Sequence, residues 1–506
     1  MVYDLRLIIE RQNDTYQACW IEPNSQPSAN FPLHLPLKPK DTVDLRWYLE
    51  TYIQFPGAGD RARAQAVEAR MAQWGEALFD AVFGSPEGVQ VYNNLMNAPA
   101  PRLLTLGSTD PEILSQPWEM MRDTRGRRSP LVFQDLILRR QLKGAKFRKT
   151  ATFTLPLRVL LIVSRPKDTG FIDPRNSIAP LMEALEGLPA ELHFCEPPTL
   201  DELENRIRAA RKDKRPYHIV HFDGHGTYLP KTGVGALAFE RDNETTHLVA
   251  GTVLGDLLAC LDVPLVILEA CRGSDLADKP VLGSVAPALL DSGVGSVVAF
   301  SHSVHVEAAK LLIERFYREL ADGQSVGQAL AEGRVKLRSQ PARWLHLGPD
   351  AETVDLQDWF IPQLYQVGED PVLLDRRLPP HPSPLPLGKG EREQDISPLP
   401  PGGEGQGEGV IRLHNFPPPP LYRFHGRAQE LLTLERALRR HPAVLIHAMG
   451  GMGKTALTRE AADWWLKKRR FDLAVFHSFE QKAGAERVIQ LLGQALEVEK
   501  FASRPA

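Results

Sequence analysis

The 506-residue sequence is poor in cysteine: Cys19, Cys195, Cys260 and Cys271 are its only four, with no C-x-x-C pair among them. That excludes a disulfide scaffold and a zinc ribbon. The chain lacks any run of about 18 apolar residues, the least a membrane-spanning helix needs. Its start, MVYDLRLIIERQ, breaks the apolar run with Asp4 and Arg6, unlike a secretory signal. A reducing, cytoplasmic address away from the membrane is expected. One-sided charge is missing too: 60 Lys+Arg stand against 63 Asp+Glu, a net charge of −3. No global basic field points to nucleic acid or an anionic surface. Proline is the excess, 42 residues where average usage gives roughly 25.

The length suggests roughly three domains. Residues 1–150 read as a mixed α+β region, with a strand at Asp4–Glu10 and a helix at Arg61–Phe83. Arg102–Asp123 reads as a strand, a turn and a short helix. Over 151–370 the pattern becomes regular. LRVLLIVS (Leu157–Ser164), YHIVHF (Tyr217–Phe222), PLVILEA (Pro264–Ala270) and GSVVAF (Gly295–Phe300) are largely apolar runs expected of buried strands, and ELHF (Glu191–Phe194) is a short strand. Helical spacings lie between them, one opened by Thr199 and Glu202 as a capping box. The alternation predicts an α/β fold, a mostly parallel sheet sandwiched by helices.

Between Pro379 and Pro420 lie 12 Pro and 7 Gly in 42 residues. SPLPLGKGE (Ser383–Glu391) and SPLPPGGEG (Ser397–Gly405) look like a degenerate tandem repeat. Such a stretch buries too little apolar surface to offset its ordering entropy, so 378–420 is expected to be a disordered linker. Residues 421–506 begin a second α/β unit. It has a leucine-studded helix, a strand at Ala443–His447, a glycine loop, a helix at Lys454–Lys468 and a strand at Asp472–Phe479.

Two stretches carry chemistry. HFDGHG (His221–Gly226) ends one buried strand and LEACRGSD (Leu268–Asp275) ends another. Sites in open α/β sheets form beyond the carboxyl ends of strands. There an imidazole at His225 could take the proton of the Cys271 thiol and later protonate a leaving amine. The Gly226 and Cys271 N–H groups are the natural donors to an oxyanion. An isolated cysteine at a strand end is ordinarily a small buried hydrophobe. The conjunction argues otherwise: E-A-C-R-G, with His225 46 residues upstream, approximates the caspase pattern Q-A-C-[RQG]-G with a histidine about 50 residues upstream.

These residues resemble the caspase-like clan of cysteine proteases, specifically CHAT-domain proteins, over roughly Leu157–Gln366. QPWEMM (Gln116–Met121) is similar to the P-W-E element ahead of many such domains, and DWFIPQLYQ (Asp358–Gln366) to their closing segment. The resemblance implies peptide-bond cleavage by a Cys–His dyad. Caspases carry Gln two residues before the cysteine, lining the pocket for the side chain that precedes the scissile bond. Here Glu269 stands there, and Asp223 and Asp275 could add negative charge nearby. A carboxylate would favour Arg or Lys and repel Asp.

AMGGMGKT (Ala448–Thr455) lies between an expected strand and helix, the context of a P-loop. Backbone N–H groups around Gly450, Gly451 and Gly453 would cradle phosphate. Lys454 would reach the β/γ-phosphates, and Thr455 would ligate Mg²⁺. Ala448 replaces the first glycine of the pattern. With YRFHGRAQEL (Tyr422–Leu431) ahead of it, the segment resembles the start of STAND/NB-ARC modules. That likeness implies ATP or ADP as cofactor and a part for Arg427 on its adenine side. A full module needs a later acidic strand, and the sequence stops about 27 residues after the last expected one, so hydrolysis by this chain alone is doubtful.

The expectation is a caspase-like cysteine endopeptidase that cleaves protein substrates after a basic residue. A nucleotide-binding module would regulate it, with a homo-oligomer or a sensor as partner. The resemblance implies prokaryotic signalling, defence or regulated cell death. The competing reading is a nucleotide-binding scaffold whose caspase-like domain is catalytically silent.

Overall fold

In the computed structural model, residues 2–54, 56–126, 128–142, 152–229, 234–272, 282–344, 353–375, 412–420, 424, 426–479 and 484–496 are described, by backbone alone at 58, 270–272, 282–284 and 412. They form two compact units, a larger one built from residues before 376 other than Asp173–Arg175, and a smaller one from 412 onward that takes in those three residues.

The larger unit contains the strands β1 (Tyr3–Gln12), β2 (Thr15–Ile21), β3 (Phe31–Leu33), β4 (Arg102–Ser108), β5 (Leu136–Leu142), β6 (Leu157–Val163), β7 (Ala190–Phe194), β8 (Ile219–Tyr228), β9 (Gly235–Glu240), β10 (Thr246–Ala250), β11 (Leu265–Arg272), β12 (Ser296–Phe300), β13 (Ala342–Trp344), β14 (Thr353–Asp355) and β15 (Pro362–Gln366). All but the β13–β14 pair belong to one 13-stranded sheet. Its order is β10-β9-β8-β11-β12-β15-β5-β4-β1-β2-β3, with β6 on β8 and β7 on β6. The sheet is mostly parallel and flanked by helices, as the alternation of apolar runs predicts. Strands of residues 1–150 continue that sheet: β5 pairs with β15 in parallel, and β4 and β1 follow.

β6 shows why such runs become central strands. Leu157–Ile162 are all buried, and the one charge among them, Arg158, is paired with Glu191 at 2.9 Å. One face of the sheet carries Leu160, Ile162, Val220, Phe222, Val266, Leu268 and Val297. They join Leu203, Ile207, Leu254, Leu258, Val285 and Leu289 from the covering helices in a single core. At the start of the helix Leu200–Lys212, the Thr199 side chain accepts from the Glu202 N–H. The Glu202 carboxylate turns to Arg206 instead of completing the box. On the other face lies the helix Val306–Ala321, and Gly323 (φ +83°) donates to the Leu320 carbonyl where it ends.

One detail of register positions the site. β8 pairs with β6 through Ile219–Asp223, where β6 ends, and then with β9 through Gly226–Tyr228 on the same edge. The chain leaving β6 therefore passes β8 between its two partners, alongside His225.

In the smaller unit, β16 (Arg412–His414) pairs in parallel with β17 (Leu473–Val475), so three residues of the expected linker lie in a strand; 376–411 fall outside the described residues. The helices are Ala428–Arg440, Lys454–Lys467 and Ala485–Ala495. The strand expected at Ala443–His447 does not form, and Leu445 is 90% exposed. A strand needs a hydrogen-bonding partner, and no described strand pairs with this stretch. Among the described residues no helix is long and apolar enough to cross a membrane.

Candidate active site

β8 and β11 are parallel neighbours, paired from Leu265↔Ile219 to Arg272↔Gly226. Within that ladder Cys271 is the register partner of His225. Their α-carbons are therefore about 5 Å apart, the ordinary spacing between strands, and the two residues share a face of the sheet. The two strands extend through the catalytic candidates, although the apolar runs that predict them end before His225 and Cys271. Gly226 is buried, opposite Arg272 on one side and Leu237 on the other. The Cys271 side chain and the whole of Asp275 lie outside the described residues.

The imidazole of His225 is held at one end. Its Nε2–H donates to the Gly170 carbonyl at 2.7 Å. A carbonyl can only accept, so this bond selects the tautomer with the proton on Nε2. Nδ1 is then the basic nitrogen, and it is buried with no hydrogen-bond partner among the described residues. A half-buried imidazole with one nitrogen anchored and the other free to accept is what a general base requires.

Glu269 stands two residues before Cys271, level with Asp223 on β8. Its carboxylate lies 3.4 Å from His221 Nε2, and its side chain keeps 16% of its surface exposed. His221 Nδ1 meets the Tyr317 hydroxyl at 3.1 Å. Burial and the Glu269 charge push the Tyr317 phenol well above its ordinary range, so it stays neutral. Asp223 has a different fate. It is 4% exposed, and its carboxylate is paired with the Arg165 guanidinium. Of the acidic pair level on these strands, Glu269 alone keeps appreciable exposure.

The glycine loop of the smaller unit turns through Gly451 (φ +77°) and Gly453 (φ +76°), conformations that glycine adopts without a steric penalty. Gly450 and Gly451 have open space where a Cβ would stand. Gly453 caps the helix Lys454–Lys467. Lys454 Nζ turns back to donate to the Ala448 and Met449 carbonyls at 2.8 and 3.0 Å. Thr455 is exposed in the first turn. Arg427 donates to the Met452 carbonyl at 2.9 Å and lies 3.2 Å from Glu430. The loop, the helix N-terminus and Arg427 are thus assembled together, with the open backbone a phosphate would approach. Among the described residues no cluster of His, Cys, Asp and Glu could hold a metal ion.

Sequence reasoning missed Gly170 and Arg165. A backbone carbonyl has no signature in a sequence. Arg165 had one, a charged residue two positions beyond the end of β6, at the end of the sheet where sites form.

A profile described as the CHAT domain matches residues 73–369, more than half of the chain. No curated protein matches the sequence. Among solved structures the chain is similar to chains from two crystal structures of the Saccharomyces cerevisiae separase–securin complex. Identities are 12% and 11%, with TM-scores of 0.43 and 0.40. Each match covers 72% of this chain but only 30% of the other. A third structure, described as that of a protease, matches at 10% identity and a TM-score of 0.34, covering 61% of this chain and 75% of the other.

Proposed function

The chain belongs to the CHAT-domain family, and on that premise we propose that it is a cysteine endopeptidase whose nucleophile is Cys271 and whose general base is His225. The observation that carries this reading is the β8–β11 register, which sets Cys271 opposite an imidazole anchored through Nε2 to Gly170. In the proposed cycle Nδ1 takes the thiol proton, and the thiolate attacks the scissile carbonyl. The carbon–nitrogen bond then breaks as the imidazolium returns that proton to the leaving amine. Water, deprotonated by the same nitrogen, hydrolyses the acyl-enzyme. The Gly226 and Cys271 amides are the proposed donors to the oxyanion.

The pocket for the residue before the scissile bond is proposed to be acidic. Glu269 supports this: it keeps its carboxylate near the strand end, whereas the Asp223 charge is taken up by Arg165. An Arg or Lys side chain would gain a charge-assisted contact there, and an Asp would meet like charge.

The smaller unit is proposed to bind ATP or ADP. Gly450, Gly451, Gly453 and Lys454 would hold the phosphates, Thr455 the Mg²⁺, and Arg427 would support the loop. A STAND-type switch acting on a protease that cuts protein targets, in signalling or defence, is the role these parts suit.

The deciding experiment is labelling by a thiol-directed activity probe, with hydrolysis of an arginyl peptide amide followed in parallel. Cys271→Ala should lose both, and Cys260→Ala should keep both. Hydrolysis that survives Cys271→Ala overturns the assignment.

A further inference from the structure

The Gly170 carbonyl that fixes His225 belongs to the segment 166–172, which follows β6. Pro166 fixes the backbone at its start, but Lys167, Asp168 and Gly170 are exposed. One buried side chain fastens it to the sheet. Arg165 is 3% exposed, and all three of its guanidinium nitrogens donate. Nε donates to the Ile172 carbonyl at 3.0 Å, Nη1 to the Ser164 and Asp223 carbonyls at 3.0 Å each, and Nη2 to the Asp223 carboxylate. The Arg165 N–H donates to the Glu240 carboxylate at 2.9 Å. One planar group therefore ties Ser164, just ahead of the segment, and Ile172, its last residue, to β8 two residues before His225.

A second tether holds the middle. Asp168 Oδ1 accepts from the Thr246 N–H and hydroxyl at 2.9 and 2.7 Å. The Lys167 N–H donates to the Glu244 carbonyl at 2.9 Å. Between these anchors the segment presents the Gly170 carbonyl to Nε2.

We propose that Arg165 is the positioning residue for His225: by clamping the 166–172 segment to Asp223 it holds the Gly170 carbonyl in place, and so keeps the imidazole in the tautomer whose Nδ1 can take the thiol proton. The proposal rests on the dyad reading above. A lysine cannot substitute. Its ammonium is a point donor and cannot reach the Ile172 carbonyl and the Asp223 carboxylate from opposite edges of one plane. Once the carbonyl drifts, the imidazole is free to rotate and to carry its proton on Nδ1, and the thiol loses its acceptor.

The test uses the full-length chain and iodoacetamide at pH 7, with alkylation of each cysteine followed by mass spectrometry. Exposed Cys260 is the internal control. The variants are His225→Ala, Arg165→Lys and Asp168→Ala, each checked for folding by thermal melting and circular dichroism. Arg165→Lys should slow Cys271 alkylation at least fivefold and leave Cys260 unchanged. Asp168→Ala, a surface change that removes only the second tether, should slow it two- to fivefold. On an arginyl peptide amide both should lower kcat with KM changed less than twofold. If Arg165→Lys does not fold, Asp168→Ala decides the matter by the same readouts. If His225→Ala slows Cys271 alkylation but the folded Arg165 and Asp168 variants do not, the positioning role is overturned and the dyad stands. If His225→Ala has no effect, the dyad fails, and this proposal with it.

Discussion

Arg140 and Glu119 form a bidentate ion pair, 2.6 and 2.9 Å, in which neither side chain is exposed to water. Arg334 shares the same carboxylate at 3.3 Å. The guanidinium of Arg140 also donates to the Leu114 and Gln116 carbonyls. Glu119 belongs to the QPWEMM stretch, Arg140 to β5, and Arg334 to the helix Val326–Ser339. One carboxylate thus joins three separate stretches of the larger unit.

Removing it should be costly. Glu119→Ala leaves two buried guanidinium groups without their counter-charge, and burial already brings Arg334 down to about 10. A loss of about 3–5 kcal/mol is expected. Urea unfolding measures it, and a loss below about 1 kcal/mol would contradict the network's role.

Glu269 should set the preference for a basic residue. A hydrogen-bonded contact to a charged group is worth about 1.5–3 kcal/mol, roughly ten- to a hundredfold in rate. Glu269→Gln should lower kcat/KM on an arginyl peptide by that factor and narrow the gap to the matched aspartyl peptide. Wild-type preference for the aspartyl peptide would rule out the acidic pocket.

Acid should weaken the larger unit through His218. Burial, then the nearby Arg158 charge, holds this imidazole down to about 3. It stacks on Phe153 and accepts from the Arg158 N–H at 3.2 Å through Nδ1. A folded value below the unfolded one means the contribution is complete above about 6.5. It is lost as pH falls toward 3, with a slope of up to about 1.4 kcal/mol per pH unit. Glu191, held down to about 2 despite its burial by His193, Arg158 and Arg215, adds its own loss only below about 4.3. His218→Asn keeps an acceptor near Nδ1 and should flatten the stability profile between pH 6.5 and 4.5. An unchanged slope in urea titrations across that window would refute this.

Lys454 should matter for nucleotide. Its ammonium now donates to two loop carbonyls and would exchange them for phosphate oxygens. Lys454→Ala should weaken ATP and ADP binding at least tenfold by calorimetry. Equal affinity in the variant would remove the P-loop assignment.

The central strands were legible because both their faces are buried. Leu157–Ile162, broken only by Arg158, and Leu265–Leu268 read as nearly continuous apolar runs, and a parallel sheet demands such runs. His225 and Cys271 stood out as candidates because their residue types and spacing are unusual, and the register of β8 and β11 sets them level. The acidic edge was half legible: Glu269 and Asp223 look alike in sequence, and only the arrival of Arg165 from β6 separates them. β9, β10 and the Gly170 contact were not legible. Strands of five or six residues carry weak periodicity, and a carbonyl that orients a side chain depends on where the backbone passes. Ala443–His447 misled for the converse reason: an apolar run is necessary for a strand, but its partner decides whether one forms.

The continuous sheet has a practical consequence. β15 meets β5 on one side, so a fragment cut ahead of residue 151 would leave the β15 border bare. Its unpaired amides and carbonyls would invite edge-to-edge association. The region before residue 151 is thus a seal on the sheet's flank, and excising it should yield aggregates sooner than a trimmed, soluble domain.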